Sequence, residues 1–411
     1  MKIAIVGAGI VGVTTAYELA RDGHAVTVYE QNGAVAEGSS FAQGGLLGAL
    51  LHPMGLPALT TPPWAGRHAA PRLQRGASAS DMLWRWRWRR QGMRGLQPEP
   101  LQAAVALARY SQERLGALCR ELGADPELTQ GQLVLLRHTS AREQLNPVVD
   151  ALRTAGMAVR DVDVAAARAL EPGLGEEAPL AAALHCPDAG AGNGRLAAQL
   201  MRQAAQAAGV HWVFNTRVAQ IHSQPVGITL ASAPQPLAYD AVVVCAGQAA
   251  TSLLHPLGLR LPMAGVAGYS INAPLRESLH APQGSVIDLG EQITITRLGQ
   301  RIRIAGGAEL GGHEQPHHEP TLRRLYQTVN EWFPGGALLS SGPQIWRGVR
   351  PTLPDGLPAL GTSGLPGVWI NAAHGASGWS QASGCAKVLA DLIAQRPPAI
   401  AIEPFSAQRM R

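Results

Sequence analysis

Cysteine is scarce in this 411-residue chain: Cys119, Cys186, Cys245 and Cys385 lie far apart, with no Cys-x-x-Cys spacing. That argues against a zinc site or a disulfide framework and suits a reducing cytosol. The histidines and cysteines share no paired ligand spacing, so no metal site is expected. Charge is also sparse, at 15% of residues, while Gly (47) and Pro (30) are plentiful. Such a chain makes a compact globule with many turns, unlike a disordered one. No uninterrupted apolar run reaches membrane-spanning length. A nucleotide fold that starts at residue 2 leaves no room for a signal peptide, so a cytoplasmic location is expected. The length suits two lobes with a real core.

The net charge is only +5, yet the basic residues concentrate locally. Met82-Leu-Trp-Arg-Trp-Arg-Trp-Arg-Arg90 interleaves three tryptophans with arginines. Three readings compete. A helix could pack its tryptophans on the core and leave its arginines in solvent. A peripheral membrane contact, at the inner face of the cytoplasmic membrane, would set indoles at headgroup level and arginines toward anionic lipid. Nucleic-acid binding is the third, and the lack of a basic stripe elsewhere argues against it.

What is present starts at residue 2. Ile3–Val6 is a buried apolar run, followed by Gly7-Ala-Gly-Ile-Val-Gly12, a helix over about 10–21, and Val26-Thr-Val-Tyr-Glu30. Gly7 allows a tight turn, Gly9 lets a pyrophosphate approach the backbone, and Gly12 lets the helix sit close to the sheet. The helix start directs N–H groups and a positive dipole end at phosphates, and Ile10 and Val11 supply the first of them. Glu30, followed by Gln31, is placed to accept hydrogen bonds from an adenosine ribose. A dinucleotide is expected; the motif alone leaves FAD and NAD(P) open, although Glu30 disfavours a 2′-phosphate.

Further along, the loop Gly38–Gly45 is rich in backbone donors, and residues 52–80 read as a surface loop or lid. Apolar residues at 101, 105, 108, 115, 118 and 122 predict a helix closed by Gly123. A strand is expected over 131–137, a helix over 196–208, and strands over 210–214 and about 218–221. Asp240-Ala-Val-Val-Val-Cys-Ala-Gly247 reads as another buried strand, and ligands bind at the carboxyl ends of such strands. From Met263 the period changes to two, with a hairpin of 292–297 and 301–306, then a helix over about 320–333. Gly367–Ala372 is the last sheet strand. The loop Ala373-His-Gly-Ala-Ser-Gly-Trp379 opens a helix to about Ala394. That second anion-friendly helix start favours FAD over NAD, because charge developing on a flavin ring would be stabilised there.

These segments, in order, resemble the D-amino-acid-oxidase-like flavoproteins, and among them the bacterial D-amino acid dehydrogenases of small-subunit type. The most telling match is Trp346-Arg-Gly-Val-Arg-Pro-Thr-Leu-Pro-Asp-Gly-Leu-Pro358 followed by His374-Gly-Ala-Ser-Gly-Trp379. The resemblance implies an α/β fold: a discontinuous, glutathione-reductase-like FAD-binding domain (1–125, 186–258 and 345–411) and a substrate domain with an antiparallel sheet (126–185 and 259–344). It implies FAD contacts from Gly7, Gly9, Ile10, Val11, Gly12, Glu30, Gln31, Ser39, Ser40, Gln43, Gly44, Gly45, Val218, Ala246, Gly247, Arg347, Gly375, Ala376, Ser377, Gly378 and Trp379. Arg350 becomes the expected carboxylate clamp, with Arg347 as the alternative. Tyr269 is expected to bond the same carboxylate or cover the pocket, His374 to lie near the flavin ring, and His52 to line the pocket. The pairs Arg297/Arg303 and His317/His318 are expected to be surface or structural.

The implied reaction converts a D-amino acid into a 2-oxo acid and ammonia by hydride transfer from Cα to flavin N5, with electrons passed to a quinone or another acceptor. In the sarcosine-oxidase branch a cysteine near the position of Arg350 attaches FAD; no cysteine lies between Cys245 and Cys385, so noncovalent FAD is expected. Gln43 stands where many relatives have Asn, and the stretch after Gly45 is unlike the better-known dehydrogenases. Rivals of the same fold are a glycine or sarcosine oxidase, a D-hydroxyproline dehydrogenase and an opine-oxidising subunit. A noncatalytic flavin-binding electron-transfer subunit and an NAD-dependent dehydrogenase are rivals of other classes.

Overall fold

The structure, a computed structural model, describes residues 1–48, 51, 55–57, 71–311 and 317–410. His52 and most of the expected 52–80 loop lie outside the described residues. The chain builds two sheets around a shared interior. The first has six strands, in the order Ala359–Thr362, Val368–Ala372, Ala241–Val244, Lys2–Val6, Ala25–Tyr29 and His211–Val213. All pairs are parallel except the first. Ile3–Val6 and Ala241–Val244 are buried throughout, which is why they read as continuous apolar runs: a parallel strand is covered on both faces.

Helices Ile10–Arg21, Gly194–Ala207 and Gly378–Ile393 cover this sheet. The first and last are tied together where Thr14 Oγ1 donates to the Ala382 carbonyl at 3.2 Å. The long helix Pro98–Leu122 packs behind them, with the Gly384 N–H donating to Ser111 Oγ at 3.1 Å. Its expected stop is met: Gly123 takes the left-handed conformation, φ 57°.

The second sheet is mixed and larger. Its main path runs Gln344–Thr352, Ala264–Pro274, Arg301–Leu310, Ile293–Leu298, Ser285–Asp288, Thr129–Leu136, Ala182–Ala191 and Leu46–Leu47. The hairpin of 293–298 and 301–310 forms as the alternation predicts, with Ile295 opposite Ile304. Two expected domain boundaries lie within this sheet. Positions 186 and 345 fall inside strands of this sheet, because backbone pairing of 182–191 with 129–136, and of 344–352 with 264–274, carries both segments into it. A separate three-stranded meander, Val218–Ser223, Val226–Leu230 and Ala233–Ala238, links the halves. Only its first strand was legible; the third, Ala-Pro-Gln-Pro-Leu-Ala, is exposed along its length and lacks an apolar face.

The Trp-Arg segment forms the helix Ala79–Met93, started by a capping box between Ser78 and Asp81. Trp84 and Trp88, one turn apart, are buried and stacked at 5.3 Å against Ala264, Val266 and Leu310. Trp86 faces the other way and is 54% exposed, with the Arg90 guanidinium over its ring. The core-packing reading therefore holds for two of the three tryptophans, since i and i+4 share a face and i+2 does not.

Candidate active site

A cavity of about 770 Å³ lies between the carboxyl ends of the parallel strands and the face of the large sheet. At one end is the glycine turn. Gly7 has φ +104°, and a Cβ there would meet the Cys245 carbonyl at 2.6 Å. A Cβ on Gly12 would stand 1.9 Å from the Gly7 carbonyl oxygen, so only glycine lets the helix approach this closely. Gly9 caps the helix with no side-chain hydrogen bond, which leaves backbone donors at its positive end. Ser40 Oγ accepts the Ile10 N–H at 3.1 Å. Ser40 thus stands at the helix-start end of the cavity.

Glu30 is buried, and its carboxylate shapes the turn. Oε2 accepts the Ala8 N–H at 2.7 Å, while Oε1 accepts the Asn32 N–H at 2.9 Å and its side-chain amide at 2.8 Å. A carboxylate offers about four acceptor sites, so room for a ribose hydroxyl remains. Ala246 and Gly247 sit at the carboxyl end of strand 241–244 and line the same cavity, as do Gln31 and Val218.

The other end is built from side chains. Arg347 and Arg350, on strand Gln344–Thr352, both line the cavity. Arg350 Nε donates to the Val266 carbonyl and Nη2 to those of Ala267 and Gly307. Burial pushes its guanidinium down to about 10, which still leaves it charged at neutral pH. Tyr269, opposite Arg347 in the sheet, donates its hydroxyl to Glu309 Oε2 at 3.0 Å and accepts the His318 N–H at 3.0 Å. Its hydroxyl proton is thereby committed to Glu309, so the expected bond to a substrate carboxylate is not how this phenol is placed. It lines the pocket, and burial raises its pKa.

His374 bridges to Thr352 in the backbone and is 5% exposed. Burial lowers its pKa to about 4, so the imidazole is neutral at physiological pH. The turn Gly375–Ser377 leads into the helix Gly378–Ile393, and Gly375, Ala376, Gly378 and Trp379 line the cavity.

Most of the candidates are therefore brought together: Gly7, Gly9, Ile10, Val11, Glu30, Gln31, Ser39, Ser40, Gln43, Gly44 and the residues just named all face one space. Gly12, Gly45 and Ser377 stand just outside the lining. Gly12 supports the turn, and the Gly45 N–H donates to Gln43 Oε1 at 2.6 Å. Of the two expected roles, surface or structural, Arg303 has the structural one: it is 6% exposed and donates to the Gln43 carbonyl at 3.1 Å, anchoring that loop.

Sequence reading missed Thr216, Arg217, Gln248 and Asn371, which line the cavity from loops and strand ends without a motif. It also missed the contact between the Gly38–Gly45 loop and the strand Gln344–Thr352. Phe41 stacks on Trp346 at 4.4 Å with the Arg195 guanidinium 3.9 Å from the Phe41 ring, and Ser39 donates to the Val349 carbonyl.

The fit of a dinucleotide can be judged from polar atoms at the wall. Gln43 Nε2, Asn371 Oδ1, Trp346 Nε1 and His374 Nε2 are buried and have no hydrogen-bond partner among the described residues. All four residues line the cavity, and an unmet buried polar atom is costly unless a ligand meets it. With a glycine turn at one end, a helix start beside His374 and this volume, the residues fit FAD.

Comparison with known proteins agrees. Residues 2–392 match the family described as DAO, FAD dependent oxidoreductase. The chain is 34% identical to a D-amino acid dehydrogenase of Cereibacter sphaeroides, covering 100% of this chain and 95% of that one. It is equally identical to D-amino acid dehydrogenase 2 of Ralstonia nicotianae, with both chains covered in full (100% each). Among solved structures, a glycine oxidase from Geobacillus kaustophilus superposes with a TM-score of 0.77 at 24% identity, covering 99% and 98% of the two chains, and so shares the fold. Fingerprint, cavity and sequence kinship converge: the chain belongs to the DAO family of FAD-dependent oxidoreductases.

Proposed function

We propose that this protein oxidises D-amino acids to imino acids, which water hydrolyses to 2-oxo acids and ammonia. The observation that carries the reading is that two arginines, Arg347 and Arg350, line the same cavity as the glycine turn and the His374 helix start. The 34%-identical D-amino acid dehydrogenases over the full chain supply the substrate class.

Bound FAD supplies a two-electron acceptor for the hydride that leaves Cα. The chain's own residues bind, orient and exclude water. Gly7, Gly9 and the first N–H groups of helix 10–21 hold the pyrophosphate, and Glu30 the ribose. Arg350 binds the substrate carboxylate: its Nε and Nη2 are pinned by three backbone carbonyls, and Nη1 makes no hydrogen bond to a described residue. Arg347 adds charge beside it. Neutral His374 contributes an N–H or a lone pair at the ring end without adding charge. FAD is held noncovalently. Cys245 lines the cavity, but burial pushes its thiol to about 12, so it is not a nucleophilic thiolate at neutral pH.

Electrons pass to a quinone or another carrier. No helix among the described residues is long and apolar enough to cross a membrane. Membrane contact would instead use the helix Ala79–Met93, where Met82, Trp86 and Met93 are exposed among arginines. Binding of the holoenzyme to anionic vesicles, lost on Trp86→Ala, checks this; equal binding by both proteins removes it.

Anaerobic mixing with D-alanine, and separately L-alanine, tests the activity through the flavin band near ~450 nm. Bleaching by the D-enantiomer alone is the expected result. Bleaching by neither would redirect the reading to glycine, sarcosine, hydroxyproline or opines.

A further inference from the structure

Behind the cavity wall stands a carboxylate to which the sequence assigned no role. Glu309 is 1% exposed and does not line the cavity. Its Oε2 accepts the Tyr269 hydroxyl at 3.0 Å and lies 3.7 Å from Arg347 Nη2. Its Oε1 accepts no hydrogen bond from a described residue, but has Arg72 Nη2 at 3.5 Å and His318 Nδ1 at 3.8 Å. A buried carboxylate is retained only where cations compensate it, and here the nearest cation facing the ligand space is Arg347.

The two cavity arginines therefore differ. Arg347 has a buried counter-charge beside it. Arg350 has backbone carbonyls as partners and no ion pair with a carboxylate among the described residues. Arg347 and Arg350, set against Glu309, leave one net positive charge facing the ligand space; the Arg72 side chain, also 3.5 Å from Glu309, is 47% exposed and its charge is screened by solvent. One carboxylate neutralises it; a second would be buried in excess.

We propose that Glu309 is a positioning and selectivity residue. By compensating Arg347 and fixing the Tyr269 phenol, it restricts the cavity to amino acids with a single carboxylate and disfavours dicarboxylates. This deepens the D-amino acid reading and rests on it for the word amino acid, but the charge balance can be tested without turnover.

The test uses the holoenzyme and two probes of equal carbon count, propionate and malonate, whose binding is read from perturbation of the flavin spectrum. In Glu309→Gln the amide still accepts from Tyr269 while the charge is gone. The affinity of malonate relative to propionate should rise at least about tenfold. Arg347→Gln should lower that ratio, and the double variant should return it to the wild-type value. A ratio that stays constant across the variants, or equal weakening of both acids in Glu309→Gln, overturns the proposal. Should Glu309→Gln fail to retain FAD, Arg347→Gln still decides: an unchanged ratio overturns the proposal and a fallen one supports it. Turnover of D-alanine against D-aspartate should follow the same direction. If neither is oxidised, the activity reading fails while the malonate ratio still judges Glu309.

Discussion

The two ends of the cavity are made of different material. The nucleotide end is mostly backbone: Gly7, Gly9 and Gly12, a helix start, and one carboxylate that hydrogen-bonds the turn itself. The opposite end is mostly side chains, Arg347, Arg350 and Tyr269 at the wall with Glu309 behind it, gathered from strands 264–274, 301–310 and 344–352. A backbone site needs particular residues at particular offsets, because glycine conformations and helix dipoles are local. A side-chain site needs only the right neighbours across a sheet, and those can come from anywhere in the chain.

This contrast can be broken most severely at Gly12. Gly12→Val would place a Cβ 1.9 Å from the Gly7 carbonyl, and the flexible side chain that could relieve the clash is absent. The expected outcome is loss of soluble yellow protein, checked by flavin content after purification. Next in size is Trp88→Ala, in the helix packed on strands 264–274 and 301–310. It removes a fully buried indole and should cost about 3–5 kcal/mol in urea unfolding. Trp86→Ala, on the exposed face of the same helix, should cost no more than about 0.5 kcal/mol. Equal costs would mean that the helix is not packed as described.

Arg350→Ala should lower kcat/KM by about a hundredfold, chiefly through KM, while flavin content stays near normal. An unchanged KM for amino acids removes Arg350 from the clamp role. The last expected effect is a pH dependence. His374 falls from an ordinary 6.5 to about 4 on burial, so between those values the unfolded chain binds the extra proton. Stability should therefore decrease as pH falls from 6.5 toward 4, by on the order of 3 kcal/mol at most, and be unaffected by this group above 6.5. Comparing urea unfolding at pH 7.5 and 5 for wild type and His374→Asn isolates it; an identical slope in both would show that His374 is not the group.

Legibility followed the same division. The strand–turn–helix–strand unit, the helix closed at Gly123 and the hairpin of 293–310 were all readable, because each is set by local periodicity and turn chemistry. The meander strand Ala233–Ala238 was not, since an exposed strand needs no apolar alternation. That positions 186 and 345 lie inside strands was not legible either, because strand pairing, which depends on distant partners, decides which sheet a segment joins. Tyr269 was expected to bond a carboxylate or cover the pocket, and it lines the pocket with its hydroxyl turned to Glu309.

By itself the sequence determined the nucleotide half of this protein: where a dinucleotide enters, which glycines let it approach and which strand ends face it. Those follow from backbone conformation, which a residue carries wherever it goes. Only the tertiary structure decided which arginine is compensated, which tryptophans are buried and what Glu309 does. Charge balance and burial are properties of neighbours in space, and pairing in the large sheet alone brings residues 40 positions or more apart in the chain, such as Tyr269 and Glu309, within 3.0 Å.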